Sequence, residues 1–135
     1  MSVLDTPGPA SAAESEPVMN VTPEAATALQ QFAVWLGLDA VRVDLSGSAD
    51  KAEFLARVAD ALDFPKWFGG NWDAFFDCLT DLGWRPATGH LLILEHTDDM
   101  RRDAPESLDT ALSILAEAAD AWRGRGRTFR TCVAA

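Results

Sequence analysis

The segment Phe64–Cys78, FPKWFGGNWDAFFDC, combines a Gly-Gly pair, a predicted helix start and two aspartates four residues apart. A glycine-rich turn that opens a helix is typical of phosphate-binding sites. In the P-loop a Lys follows the turn, whereas here no Lys or Arg lies between Trp67 and Trp84 and Asp73 would repel the ligand. The dinucleotide-binding pattern is not matched either. The segment therefore does not predict phosphate binding, and its aspartates need another explanation.

Residues 72–82 divide into two faces when they are placed on a helix at about 100° per residue. Asp73, Asp77 and Asp81 share one side, and the apolar residues share the other: Trp72, Phe75, Phe76, Cys78, Leu79 and Leu82. The helix dipole explains an acid at Asp73 in the first turn. It does not explain Asp77 and Asp81, because like charges four residues apart cost about 0.2–0.5 kcal/mol per pair. The acidic side is thus either a solvated surface or an interface for a cationic partner, for which neighbouring Trp67 and Phe68 supply aromatic contacts.

A catalytic role for these residues is not predicted. Asp73 and Asp77 would lie about 5–6 Å apart, near the separation in a retaining glycosidase, but side chains one turn apart on one helix cannot flank a bond from opposite sides. No nucleophile–base pattern involves His90 or His96. We therefore expect a protein that is not an enzyme.

Composition limits the partners. The chain has 135 residues and a net charge of -10, which suits one domain whose surface repels nucleic acid and anionic lipid, so a charged partner should be basic. His90 and His96 are isolated and are expected at strand ends or on the surface, and Cys78 and Cys132 are expected to be buried and reduced. We predict no metal and no cofactor. Without a signal-peptide pattern or a membrane span, we expect a cytoplasmic protein.

The order of elements predicts a small parallel sheet. Residues 1–22 are rich in Pro, Ala, Ser and Glu and are predicted to form a flexible tail. Strands are predicted from AVRVDLSG (40–47), HLLILEH (90–96) and RTFRTCVAA (127–135), and helices from residues 22–37, 48–64, 71–82 and 105–124. Helical crossovers between strands favour an α/β fold with three parallel strands flanked by helices, the first helix standing before the first strand.

The longer segment FPKWFGGNWDAFFDCLTDLGW resembles the barstar family, the small intracellular inhibitors of barnase-type ribonucleases. An aromatic pair and eight further residues fall in register with the family motif: Pro65, Gly69, Asn71, Asp73, Ala74, Asp77, Cys78 and Leu79. A weaker resemblance extends from about residue 40 to the C-terminus. It implies a barstar-like domain over residues 23–135, with a family core from about 40 to 135 and an extra N-terminal helix.

The resemblance also implies which residues contact a partner. Asp77 aligns with the central aspartate that replaces the substrate phosphate in the ribonuclease active site, and Asp73 aligns with a second acid. Trp67 aligns with a tyrosine of the interface, Phe76 with a tryptophan at its border, and Glu117 with a glutamate that pairs with a basic residue. Gly69, Gly70 and Asn71 shape the loop, Asp81 extends the acidic face, and Ala121 stands where the family has a further glutamate.

The expected function is therefore inhibition of a basic, barnase-type extracellular ribonuclease by an acidic helix and the aromatic loop before it. The alternative is a binding or immunity module of the same fold for another basic toxin or a regulatory protein. We expect a monomer when no partner is bound. Whether the N-terminal helix covers the domain or mediates dimerisation stays open at this point.

Overall fold

The computed structural model describes residues 16–135, which form a parallel sheet with helices on both faces. The strands are β1 (Val18–Val21), β2 (Asp39–Asp44), β3 (Gly89–Glu95) and β4 (Thr128–Ala134). The helices are α1 (Pro23–Trp35), α2 (Lys51–Ala61), α3 (Trp72–Asp81), α4 (Asp98–Asp103) and α5 (Pro105–Gly124). The sheet order is β1-β4-β3-β2 with parallel neighbours throughout, which confirms the α/β class with a parallel sheet.

The sheet has four strands, so the prediction of three is wrong. The additional strand, β1, lies at an edge and pairs with β4, with Val18 opposite Thr131 and Val21 opposite Ala134. It falls within residues 1–22, which the sequence assigns to a flexible tail; residues 1–15 of that tail lie outside the described part of the chain. Four residues that include Asn20 are too few to show a strand pattern, and pairing with β4 decides their conformation.

The other strands and the four predicted helices lie within a few residues of their expected positions. Only α4 was not anticipated from the sequence. Its six residues have no apolar period, and Thr97 precedes it without a side-chain cap. It is a short connection between β3 and α5.

Strand β3 separates two apolar layers because its side chains alternate between the faces of the sheet. Leu92 and Leu94 belong to the larger layer, which the sheet shares with α2, α3 and α5. Leu91 and Ile93 belong to the smaller layer, which lies against α1. Helix α1 is therefore on the opposite side of the sheet from α3 and α5.

Local capping sets the ends of α1. The Thr22 side chain accepts a hydrogen bond from the Ala25 backbone N–H at 3.1 Å, and Pro23 occupies the first helical position. Gly37, just past the end, has a φ of +83°, a left-handed conformation that glycine adopts without strain. The capping predicted from the sequence is confirmed.

A buried histidine joins the strands to the connection after α3. His90 is 3% exposed, so its expected position at a strand end is confirmed but a surface position is wrong. Its Nδ1 lies 3.0 Å from Asp39 Oδ2, and Asp39 also accepts two hydrogen bonds from Arg85. Burial lowers the pKa of His90 from its ordinary value of 6.5, against the opposing effect of the Asp39 carboxylate. The histidine is thus held neutral between charged neighbours.

We expect the free energy of unfolding to fall as pH decreases from about 7.5 to 5.5, because the unfolded chain takes up a proton at His90 that the folded chain resists. The fall in stability begins near the ordinary pKa of His90, 6.5, and ends near its lower pKa in the fold. This fall in stability is separate from the contribution of Asp39, which titrates at lower pH. The pKa of Asp39 lies below its ordinary value of 3.8 mainly because Arg85 donates hydrogen bonds to it. Urea unfolding at both pH values should show a smaller pH dependence in His90→Gln than in the parent.

His96 provides the matched control, since it is exposed and follows the same strand. His96→Gln should keep the pH dependence of the parent. Equal pH dependence in the parent and in His90→Gln would contradict the assignment.

Candidate partner-binding site

The loop before α3 makes a tight entry into the helix. The Asn71 side-chain oxygen accepts a hydrogen bond from the Ala74 N–H at 2.8 Å and so caps α3. Gly70 has a φ of +71°, where a side chain would be strained. Gly69 and Gly70 are both exposed, so this part of the backbone is open to a partner.

An aromatic cluster fixes one side of the loop and leaves one ring outside. Phe68 packs edge-to-face on Phe64, with ring centres 5.0 Å apart, and Phe64 in turn contacts Trp84 at 6.2 Å. Trp67, next to the anchored Phe68, is 59% exposed. The Trp67 indole is therefore exposed on a loop whose backbone is held in place by the packing of Phe68.

Helix α3 has the two faces that its sequence predicts. Phe75, Cys78 and Leu79 are fully buried, whereas Asp73 and Asp77 are exposed. Asp73 lies in the first turn, where the helix dipole favours an anion by about 0.3–1 kcal/mol. Asp77, one turn later, receives little of that stabilisation.

Four of the predicted residues line one concave surface between α3 and α5. Its volume is about 450 Å³, and its lining combines acids and apolar side chains: Trp72, Asp73, Phe76, Asp77, Ile114 and Glu117. Glu117, forty residues after Asp77 in sequence, thus shares a surface with the α3 acids. We call this surface the acidic groove.

Trp72 and Ile114 were not assigned to a site from the sequence. Trp72 was placed on the apolar side of the helix, but it is only half-buried and its ring lies under the Lys51 ammonium, 5.1 Å from the ring centre. Ile114 lies three residues before Glu117, so the two share a helix face, and that spacing is the signal that could have found it.

Asp81 does not belong to the acidic groove. Its Oδ1 accepts a hydrogen bond from the Gly83 N–H at 3.1 Å and so stabilises the turn that ends α3. This local contact explains an aspartate at a position where the helix dipole disfavours one. Within residues 16–135, the Asp77 side chain has no comparable hydrogen bond or ion pair.

The groove acids have no cationic partners among residues 16–135. The ion pairs of this part of the chain involve other carboxylates, such as Asp39 with Arg85 and Glu95 with Arg42, and none involves Asp73, Asp77 or Glu117. Burial, and then the charges of Asp77 and Asp81, raise the pKa of the Cys78 thiol to about 11. Negative potential on this side of α3 therefore reaches the core beneath it.

The cysteines and histidines supply no metal centre in the described part of the chain. Cys78 and Cys132 are both free and buried, as expected. Within residues 16–135, no three His, Cys, Asp or Glu side chains come together as metal ligands. No helix in the same range has the length and apolar content needed to cross a membrane.

Comparison with known proteins assigns the chain to a class. The model of the family Barstar (barnase inhibitor) matches residues 38–134, so the chain belongs to the barstar family. The matched range contains the loop, the acidic groove and strands β2 to β4, and it excludes β1 and α1. No curated protein matches the chain in sequence.

Among solved structures, the chain is similar to a chain in the structure of Drosophila ORC bound to DNA, with 13% identity and a TM-score of 0.52. The similarity covers 87% of this chain and 31% of that chain. At this identity, the likeness shows the fold alone.

Removal of the α3 cap should destabilise the fold. We expect Asn71→Ala to lower the free energy of unfolding by about 1 kcal/mol, because the Ala74 N–H loses its partner. Asn71→Asp should keep most of the stability, since a carboxylate caps equally well and suits the helix dipole. Urea unfolding of both variants measures the difference, and equal destabilisation by Ala and Asp would show that the cap is not what Asn71 contributes.

Proposed function

We propose that this protein inhibits a basic, barnase-type extracellular ribonuclease by covering its active site with the acidic groove and the loop before α3. The observation that carries the proposal is the meeting of Asp73, Phe76, Asp77 and Glu117 on one concave surface. Membership of a family of barnase inhibitors supports it. In this proposal, β1 and α1 are an N-terminal extension of the inhibitor domain.

Asp77 is the proposed phosphate mimic. A ribonuclease binds the phosphate of RNA with cationic side chains, and an exposed carboxylate on a rigid helix presents the same charge and the same acceptor oxygens. Because Asp77 has no ion pair within residues 16–135, no internal ion pair has to be broken before it binds. Asp73 and Glu117 place further negative charge on both sides of the groove.

The aromatic residues supply the apolar part of the contact. Trp67 is exposed on the loop before α3, and Trp72 and Phe76 line the groove. Aromatic side chains in the centre of an interface, surrounded by charges, are typical of hot spots. Gly69 and Gly70 let the partner approach the loop backbone closely.

The charges of the two proteins favour rapid encounter. A net charge of -10 attracts a basic ribonuclease, and this long-range attraction is screened by salt. The proposed place of action is the cytoplasm of the cell that makes the ribonuclease, where inhibition would protect its RNA. The protein would act by occupation of a surface, without chemistry of its own.

Two aspartates on α3 provide a matched test. We expect Asp77→Ala to weaken inhibition of a barnase-type ribonuclease by about 30-fold or more, the loss of about 2 kcal/mol that defines a hot spot. Asp81→Ala should change it little, since Asp81 bonds Gly83 outside the groove. The measurement is a titration of ribonuclease activity at several salt concentrations, with association slowing as salt rises.

Equal inhibition by the two variants would contradict the role of Asp77. If the parent protein failed to inhibit at micromolar concentration, the ribonuclease proposal would be wrong, and a basic toxin of another kind would be the partner to test.

A further inference from the structure

The end of α1 exposes an apolar surface that the proposed inhibition does not use. Among residues 16–135, five large hydrophobic side chains are exposed; Trp67 belongs to the inhibitory loop and the other four end α1: Phe32, Val34, Trp35 and Leu36. Phe32 and Trp35 stack with ring centres 5.9 Å apart, and Trp35 is 78% exposed. Scattered apolar side chains are normal on a surface, whereas a contiguous group marks an interaction site.

A groove lies beside these rings. It has a volume of about 600 Å³, and α1 forms one wall with Leu29, Phe32 and Leu36 while the sheet forms the floor with Met19, Leu91 and Cys132. The groove exists because α1 approaches the sheet through the small Ala26 and Ala33 and leaves part of the apolar layer uncovered. The exposed rings of Phe32 and Trp35 and the apolar groove thus lie next to each other on one surface.

We propose that a second copy of this chain covers this surface, forming a symmetric dimer in which Trp35 of each protomer enters the groove of the other. A two-fold dimer uses the same patch on both copies, so the patch must contain both the projecting ring and the groove that receives it. In the dimer, each indole contacts the partner copy's groove beside its Phe32. We call this the α1 interface.

Charge argues for a second copy rather than a charged partner. Residues 25–38 contain no charged residue, and among residues 16–135 the groove beside them is lined by no carboxylate and by one cationic residue, Arg130. Two copies with a net charge of -10 repel each other, and a face without acidic side chains is where they can approach at least cost. The groove acids, in contrast, would oppose self-association through α3.

The available area sets the strength of the dimer. Aromatic side chains bury about 150–250 Å² each, so the exposed parts of Phe32 and Trp35 offer roughly 200–350 Å² per copy. Leu36, Val34 and the groove walls bring the total near the lower limit of specific interfaces, which is about 600 Å² per partner. We therefore expect dissociation in the micromolar range or above.

The position of the α1 interface leaves the inhibitory surface open. Since α1 lies on the opposite side of the sheet from α3 and α5, dimerisation covers neither Asp77 nor Trp67. The dimer thus presents two acidic grooves. This assignment replaces the expectation of a monomer and does not depend on the identity of the partner at the groove.

Two exposed tryptophans provide the test. Sedimentation equilibrium of the full chain from about 5 to 500 µM should show a monomer–dimer equilibrium. Trp35→Glu should weaken it at least about 100-fold, because a symmetric dimer contains the substitution twice and each buries a charge. Trp67→Glu, the matched control on the other face, should leave self-association within about twofold of the parent.

Salt provides an independent readout. Self-association should strengthen between about 0.05 and 0.5 M salt, because screening reduces the repulsion between two acidic copies. Weakening by salt would indicate an ionic interface and overturn the proposal.

Two other outcomes would also overturn it. The first is a dimer lost in Trp67→Glu but retained in Trp35→Glu. The second is a parent that stays monomeric over the whole concentration range; if Leu4→Glu then produced a Trp35-dependent dimer, the chain's own N-terminal segment would be the occupant of the groove.

Discussion

The attachment of the C-terminal end of α3 to α5 is the constraint on which the candidate site depends. The last carbonyls of a helix have no partner within it. Two of those in α3 are satisfied from α5 and the residue after it: Trp122 Nε1 donates to the Leu79 carbonyl at 2.8 Å, and Arg125 donates to the Thr80 carbonyl at 2.6 Å. The buried indole N–H would cost about 1–3 kcal/mol unpaired. Helix α3 thus supplies the acceptor that the Trp122 indole lacks, and α5 supplies the donor that the Leu79 carbonyl lacks. Asp77 lies two residues before Leu79 and Glu117 lies five residues before Trp122, so this contact brings the two acids to the same groove.

Rigidity at the other end of α3 has a different origin. There, the Asn71 cap fixes the helix start and the ring of Phe68 fixes the loop on Phe64. With both ends held, the acids and the exposed Trp67 ring need little reorganisation to meet a partner, and a preorganised surface loses less entropy on binding. The sheet serves the site indirectly, through the apolar layer that α2, α3 and α5 share with it.

Most of the fold, and the two faces of α3, followed from sequence because local patterns determine them. The continuous apolar run of β3 predicts a strand covered on both faces, and the period of α3 separates its acids from its buried side. β1 was missed because a four-residue edge strand is defined by pairing with β4 rather than by its own pattern. The meeting of Glu117 with the α3 acids, and the contribution of Ile114, depend on how α3 and α5 pack, which no local pattern contains. Glu117 was therefore predicted from the family resemblance and not from a pattern in the sequence.

The two surfaces assigned to partners are places where the chain departs from what stability alone favours. Several other carboxylates are paired, as Glu95 with Arg42 at 2.6 Å, and most large apolar side chains of residues 16–135 are buried. Within residues 16–135, Asp77 has no ion pair and lies outside the first turn of its helix, and Trp35 is an exposed indole at the end of a helix that has no charged residue after Glu24. Such departures persist when another molecule provides the missing contact. The chemistry of each surface then indicates the partner that we propose for it: a cationic protein at the unpaired acids, and a second copy of the chain at the exposed apolar ring and its neighbouring groove.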